Sequence, residues 1–322
     1  MRVLVVGGAG FIGSAYVRNL VSGAYPAHAG AKVTVLDKLT YAGNLANLEP
    51  VAGEFVFVRG DVRDSELLAE VVPGHDLLIN FAADTHVDRS ITGPAEFVLT
   101  NVAGTQTLLQ AALDAGVPRV VQVSTDEVYG SIDSGAWTEH CPLEPNSPYA
   151  ATKAGGDLVA RAYQRTYGLP VCVTRCSNNY GPYQFPEKVI PLFVTNLLDG
   201  LPVPLYGDGL NVRDWLHVDD HCRGIEIVSE RGVPGEVYNI GGGVELNNRQ
   251  LTQFLLDACG ASWDMVRPVQ DRPGHDRRYS VDDTKLRALG YAPRVPFAEG
   301  LAATVAWYRD SRAWWEPLKP SL

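Results

Sequence analysis

The chain has 322 residues, of which 46% are apolar, and a formal net charge of −10. That length suits one large α/β domain with a smaller appended lobe, and the apolar fraction is that of an ordinary protein able to bury a sizeable core. Lys and Arg form no cluster of the kind that binds nucleic acid or a membrane surface, so a few placed groups must capture any anionic ligand locally.

Taken in chain order, short β-branched runs alternate with amphipathic stretches. Arg2–Val6, Lys32–Leu36, Phe55–Val58, Asp76–Phe81, Arg119–Ser124 and Val171–Arg175 read as buried strands. Phe11–Ser22, Ser65–Val71, Pro94–Ala115 and Pro148–Tyr167 carry apolar residues at helical spacing. Continuous apolar strands separated by helices imply a Rossmann-type, doubly wound parallel sheet covered on both faces. The segment Ser22–Ala31 reads as a lengthened loop. After Arg175 the alternation loosens, and a smaller C-terminal substrate-binding lobe is expected. The boundary falls between residues 176 and 177, giving a dinucleotide-binding domain over 1–176 and a second domain over 177–322, some of whose segments return to the sheet. Pro94–Ala115 and Pro148–Tyr167 have more apolar surface than one sheet face requires.

The five cysteines (Cys141, Cys172, Cys176, Cys222, Cys259) show no metal-like spacing, and a reduced, cytoplasmic protein is expected. Glycines interrupt the apolar N-terminus where a signal peptide needs a helical core, and no apolar stretch approaches a membrane-spanning length. No metal site is expected. His217-Val218-Asp219-Asp220-His221 places two imidazoles near one another, but Trp215–Val218 reads as a strand entering a helix near Asp219, so the two rings face differently. Trp307, Trp314 and Trp315 read as helix-packing residues.

The chemistry starts at Gly7-Gly8-Ala9-Gly10-Phe11-Ile12-Gly13, directly after the first strand and opening the first helix. Such glycines permit a tight turn and close approach to a pyrophosphate, while the helix N-terminus supplies N–H donors and a positive dipole end. The next strand ends at Asp37, whose carboxylate can accept from both ribose hydroxyls and repels a 2′-phosphate, favouring NAD over NADP. Asp61-Val62, past the third strand, is placed to reach the adenine edge.

The fifth strand runs into Ser124-Thr125-Asp126-Glu127. Carboxyl ends of strands line the ligand crevice of such a sheet, so two adjacent carboxyls there are either a solvated turn or used in chemistry. Tyr149 and Lys153 stand four apart on one helix face. A phenol is a poor base at neutral pH, and an ammonium beside it, with a nicotinamide cation, is expected to bring its pKa down. With the glycine turn and Thr125, this set points to hydride transfer at a carbinol carbon.

These residues resemble the extended short-chain dehydrogenase/reductase superfamily over nearly the whole chain. Within it, Thr125-Asp126-Glu127 is similar to the dTDP-glucose 4,6-dehydratase family, whereas GDP-mannose dehydratases and UDP-glucuronate decarboxylases resemble Thr-Ser-Glu there, and epimerases usually carry small or hydroxyl residues at the pair. Ala82-Ala83-Asp84-Thr85-His86-Val87-Asp88-Arg89-Ser90, Arg175–Pro182, Pro186-Glu187-Lys188 and Asp271-Arg272-Pro273-Gly274-His275-Asp276 agree with that family. Asp84-Thr85 departs from its usual Glu-Ser but keeps the hydroxyl.

The resemblance implies that Thr125, Asp126, Glu127, Tyr149 and Lys153 are catalytic. Tyr149 would take the O4 proton as hydride leaves C4 for NAD⁺, Glu127 would remove the C5 proton, and a protonated Asp126 would release the C6 hydroxyl as water. It implies NAD contacts from Gly7, Gly10, Phe11, Ile12, Gly13, Asp37, Lys38, Leu39, Thr40, Asp61, Val62, Phe81, Ala82, Ala83, Thr85, Thr100, Tyr149, Lys153 and Asn179. It implies nucleotide-sugar contacts from Thr85, Thr125, Asn178, Lys188, Val189, Pro204, Leu205, Tyr206, Arg213, Asn248, Arg272 and His275. Of these, Lys188, Arg213 and Arg272 suit a diphosphate, and Tyr206 a stacked base. Relatives pair through two long helices from each subunit, so a homodimer is expected. The competing readings are a UDP-glucose 4,6-dehydratase, a nucleotide-sugar 4-epimerase, which needs no acid at C6, and a non-catalytic NAD-binding sensor. Sensors commonly lack the tyrosine or its lysine, and both are present.

Overall fold

The computed structural model describes residues 1–319. Its first half builds β1 (Arg2–Val6), α1 (Phe11–Val21), β2 (Lys32–Asp37), β3 (Phe55–Arg59), α2 (Ser65–Val71), β4 (Leu77–Asn80), α3 (Val87–Thr92), α4 (Pro94–Val98), α5 (Thr105–Asp114), β5 (Val120–Thr125), α6 (Pro148–Tyr167) and β6 (Val171–Cys176). The second half adds β7 (Asn178–Tyr180), α7 (Val189–Leu198), β8 (Val203–Tyr206), β9 (Val212–His217), α8 (Val218–Arg231), β10 (Val237–Ile240), β11 (Glu245–Asn247), α9 (Asn248–Cys259), β12 (Val266–Val269), α10 (Thr284–Arg287) and α11 (Phe297–Asp310).

Seven strands pair in the order β10-β6-β5-β4-β1-β2-β3, each pair parallel. Both faces are covered, and the period-two alternation of a strand sorts its side chains between them. Val3 and Val5 face a core with Tyr16, Val121 and Ile225, while Leu4 and Val6 face one with Leu68, Leu108 and Val120. A third core, with Phe193, Leu205, Trp215, Leu255, Val305 and Trp315, fills the smaller lobe. There β7, β9 and β11 form one small sheet and β8 and β12 another. The order in which the chain adds strands reverses between β1 and β4, opening a crevice at their carboxyl ends.

The second half of the chain crosses back into the first. α8 covers β5 and β6, and β10 becomes the edge strand beside β6. The helix expected over Pro94–Ala115 is interrupted by a π-helical turn at Leu99–Gly104. That bulge turns Asn101 inward, where its amide donates to Asp84 O at 3.0 Å and to Thr152 Oγ1 at 2.9 Å while its carbonyl accepts from the Asp84 N–H at 2.9 Å. A regular helix could not direct both ends of this amide to the active-site loop, and π-bulges commonly serve that purpose. The Ser22–Ala31 loop contains a 3₁₀ turn, Pro26–His28, that places His28 against Glu226 of α8. Among the described residues, no helix is long and apolar enough to cross a membrane.

Candidate active site

At the glycine turn, Gly7 has φ 76°, and a Cβ there would lie 2.5 Å from the Ala82 nitrogen. A Cβ on Gly13 would lie 2.3 Å from Gly7 O, so both positions demand glycine. Gly10 stands at the N-cap of α1 without a side-chain cap, leaving the first N–H groups of the helix for a ligand. Each oxygen of Asp37 accepts one backbone N–H, from Ala9 at 2.9 Å and Leu39 at 2.8 Å. A carboxylate oxygen accepts more than one hydrogen bond, so both retain capacity toward a ribose diol. Burial raises the pKa of Asp37 despite those two donors. The Asp61 carboxylate is clamped by Arg63 and Lys38, each at 2.8 Å. Burial works against ionisation there, but these bonds hold its pKa at about 2.

β5 delivers Thr125 to the floor of the crevice, and the chain then makes a 3₁₀ turn over Asp126–Tyr129. The Thr125 hydroxyl donates to Asp126 Oδ1 and accepts the Glu127 N–H, both at 3.3 Å. Asp126 Oδ2 is buried without a partner. Behind the turn, Arg175 of β6 pairs with Asp157 of α6 at 2.9 Å, both side chains being fully buried, and donates to Tyr129 Oη at 2.8 Å. Tyr129 donates in turn to Asn239 of β10 at 2.8 Å. This network ties the carboxyl-bearing turn to three elements of the scaffold.

The two adjacent carboxyls sit in different fields. Burial, then the charges of Glu127 and Asp214, push the Asp126 pKa well above the carboxylate range. Burial also raises Glu127, but Arg272, Arg213 and Lys188 oppose it. Burial thus raises both carboxyls, with neighbouring carboxylates adding to the rise at Asp126 and three cations opposing it at Glu127.

Ser147 caps α6 by accepting the Ala150 N–H, and the Tyr149 N–H donates to Ser90 Oγ at 3.1 Å. Lys153 Nζ donates to Val123 O at 2.7 Å and is fully enclosed. In the protein alone the expected lowering of the Tyr149 pKa is reversed. Burial pushes it well above its usual value, with Glu127 and Cys176 adding to the rise and the Thr125 hydroxyl opposing it. Burial likewise lowers Lys153. Burial is thus the leading cause at both groups.

Across the cleft, Lys188 Nζ donates to Thr85 O at 2.7 Å, and Arg272 reaches Asp88 at 3.3 Å. Tyr206 Oη donates to Asp88 Oδ2 at 3.4 Å. Arg213 lies over the Tyr279 ring at 4.2 Å and donates to Asp276 O at 3.0 Å. His275 contacts Asp271 at 2.6 Å, and Asn178 Oδ1 is buried without a partner. One continuous cleft of about 670 Å³ brings these groups together. Every residue nominated from the sequence lines it except two. Leu205 turns into the core of the smaller lobe, because alternation along β8 sends Pro204 and Tyr206 to the cleft and Leu205 inward. Leu39, with φ 57°, contributes its N–H to Asp37 and leaves the wall to its neighbours.

The two histidines of the His217–His221 segment have separate tasks. His217 caps α8 through the Asp219 N–H at 3.3 Å, and His221 Nδ1 donates to Asn179 Oδ1 at 2.9 Å. Burial holds the His221 imidazole pKa at about 3, so it orients Asn179 as a neutral ring. Cleft residues that sequence reasoning missed include Tyr41, Asp88, Gln184 and Glu187. Asp88 and Glu187 fall inside segments already similar to the family, which was their only signal.

A glycine-turn dinucleotide cleft with Tyr149 and Lys153, three cations (Lys188, Arg213 and Arg272) from the second half of the chain and an adjacent carboxyl pair defines a nucleotide-sugar-modifying short-chain dehydrogenase/reductase. A family model described as GDP-mannose 4,6 dehydratase matches residues 4–304. Two dTDP-glucose 4,6-dehydratases, from Streptomyces niveus and Streptomyces antibioticus, are 62% and 63% identical, each alignment covering 99% of this chain and 96% of the relative. The crystal structure of DesIV, a dTDP-glucose 4,6-dehydratase from Streptomyces venezuelae solved with NAD and dTDP bound, superposes with a TM-score of 0.98 at 67% identity, covering 99% of this chain and all of the other. The chain belongs to the dTDP-glucose 4,6-dehydratase family.

Proposed function

We propose that this protein converts dTDP-glucose to dTDP-4-keto-6-deoxyglucose and water. The observation that carries this reading is the Asp126–Glu127 pair, two adjacent carboxyls in different charge surroundings, in the cleft that Tyr149 and Lys153 also line. Gly7, Gly10, Gly13 and Asp37 would hold NAD⁺, which when bound would supply the hydride acceptor for C4 and the hydride donor for C6. Tyr149, with the Thr125 hydroxyl beside it, takes the proton from the sugar O4. Lys153 places positive charge beneath that step. The ketone so formed acidifies C5–H, and Glu127 removes that proton. Asp126 donates its proton to the C6 hydroxyl, which departs as water, and Glu127 then reprotonates C5. A 4-epimerase needs no acid at C6, so a buried carboxyl whose pKa is raised favours dehydration.

In this reading the 1–176 region binds NAD and the 177–322 region binds the nucleotide sugar, with Lys188, Arg213 and Arg272 around the diphosphate. The apolar residues Val98, Leu99, Leu158 and Tyr167 are exposed on the Pro94–Asp114 and Pro148–Tyr167 helices, which supports a homodimer with a helical-bundle interface. All five thiols are free, which supports a reduced, cytoplasmic setting. Incubation with dTDP-glucose and, separately, UDP-glucose tests the function. The dTDP sugar should give the alkali-absorbing 4-keto-6-deoxy product faster, without consuming added NAD⁺. Stoichiometric release of NADH would instead identify a plain dehydrogenase.

A further inference from the structure

The loop after β2 lies against the glycine turn, with the Asn44 N–H donating to Ala9 O at 3.0 Å and Asn47 Nδ2 donating to the same oxygen at 2.9 Å. From this loop Tyr41 reaches away from the turn toward the smaller lobe. Its hydroxyl donates to Glu187 Oε1 at 2.9 Å, and its ring meets Phe185 edge-on at 5.4 Å. Arg89 of α3 completes the group. Its guanidinium lies 3.8 Å from the Tyr41 ring centroid and 3.2 Å from Glu187 Oε2. His86 stands 3.6 Å from that same oxygen. The adjoining Lys188 donates to Thr85 O, so residues 185–188 are fastened to the first half of the chain at consecutive positions. Tyr41, Phe185, His86 and Glu187 all line the cleft. The Glu187 side chain is only 13% exposed, so a carboxylate at the cleft rim has been enclosed by partners drawn from two other segments. Burial and the neighbouring carboxylate raise the Tyr41 pKa, keeping its hydroxyl a donor.

We propose that Tyr41, Arg89 and Glu187 form a latch across the cleft that retains the dinucleotide between the two halves of each turnover. The inference rests on the dehydratase reading. There the hydride taken from C4 must return to C6 of the same sugar, so a cofactor that leaves after the first half strands the intermediate. A latch joining the loop on the glycine turn to the far lobe lengthens residence without touching a reacting atom, and such gating acts mainly on dissociation rate. Tyr41, Arg89 and Glu187 are positioning residues on this view.

The test uses the purified holoenzyme and the variants Tyr41→Phe, which keeps the ring, and Arg89→Met, which keeps most of the stem. The dissociation rate of bound NAD is measured by trapping with excess labelled NAD⁺, and dehydration is assayed with and without added NAD⁺. Each charge-assisted contact removed should accelerate NAD release by roughly tenfold or more. Both variants should lose activity on dilution and recover wild-type kcat when NAD⁺ is added, with an unchanged melting temperature. Release at the wild-type rate in both variants, or a kcat that stays low in saturating NAD⁺, would overturn the latch. Failure of the underlying reading shows separately, as wild-type enzyme that consumes NAD⁺ with each turnover.

Discussion

Replacing Asp126 by Asn and Glu127 by Gln, one at a time, separates the two carboxyls while nearly preserving shape. Asp126 is buried, its Oδ2 meets no partner, and burial raises its pKa well above the ordinary value, which favours the proton-bearing form that the proposed donation to the C6 hydroxyl uses. Burial raises Glu127 as well, but Arg272, Arg213 and Lys188 oppose that rise and so favour the carboxylate that the proposed C5 deprotonation uses. Asn has no acidic proton and Gln no basic lone pair of comparable strength, so each variant forfeits one positioned proton transfer, worth about a hundredfold to ten-thousandfold. In the proposed reaction, oxidation at C4 depends on Tyr149, Lys153 and Thr125, which both variants retain. Adding dTDP-glucose should therefore still convert bound NAD⁺ to its reduced, ultraviolet-absorbing form, while formation of the 4-keto-6-deoxy product falls by those factors. In deuterated water the Glu127 variant should not exchange the C5 proton, whereas the Asp126 variant keeps some exchange. The wild-type dehydration rate should fall as rising pH strips the proton from Asp126, a limb missing from Asp126→Asn. Near wild-type turnover by either variant would make the pair a solvated turn and return the epimerase reading to the front.

Tyr149→Phe should suppress the reduction of bound cofactor itself, seen in a single turnover as no absorbance change on sugar addition. Asp126→Asn should also alter stability in a pH-dependent way. A carboxyl whose folded pKa is raised favours the fold fully below its unfolded value, near 4, and that contribution is lost as pH rises through the folded value. Melting temperatures measured from acid to mildly alkaline pH should therefore show the variant gaining on wild type as pH rises, and a constant gap would contradict the buried protonated acid. Leu158→Lys should shift the assembly toward monomer in light scattering. The leucine is exposed on α6, and burying such a side chain is worth about 1.5–3 kcal/mol, so its replacement by an ammonium should raise the dimer dissociation constant by roughly two orders of magnitude or more.

The strands of the first half were legible because burial on both faces forces continuous apolar runs, and their ends fall within a residue or two of those read from the pattern. The glycine turn was legible for a related reason, since Gly7 and Gly13 stand where no Cβ fits. The π-turn at Leu99–Gly104 was not, because one extra residue per turn barely disturbs a helical pattern and its cause is the distant pair Asp84 and Thr152. Nor was β10, a four-residue strand whose place beside β6 depends on where α8 delivers it. Leu205 was nominated by position in a matching segment, and only the pleat of β8 shows that it faces away from the cleft.

The candidate catalytic residues were legible as types, and their electrostatic surroundings were not. Adjacent carboxyls and a Tyr-Lys spacing announce acid–base chemistry, but whether each group holds its proton depends on partners far along the chain. Asp214 and Glu127 raise Asp126, while Arg213 and Arg272 restrain Glu127. The same distance between cause and effect explains the reversal at Tyr149. A helix-face spacing puts Lys153 on the side of α6 that carries Tyr149, but it does not show that the ammonium donates to Val123 O inside a desolvated wall. Burial costs the Tyr149 phenolate, and the nearby Glu127 and Cys176 add to that cost while the Thr125 hydroxyl offsets part of it.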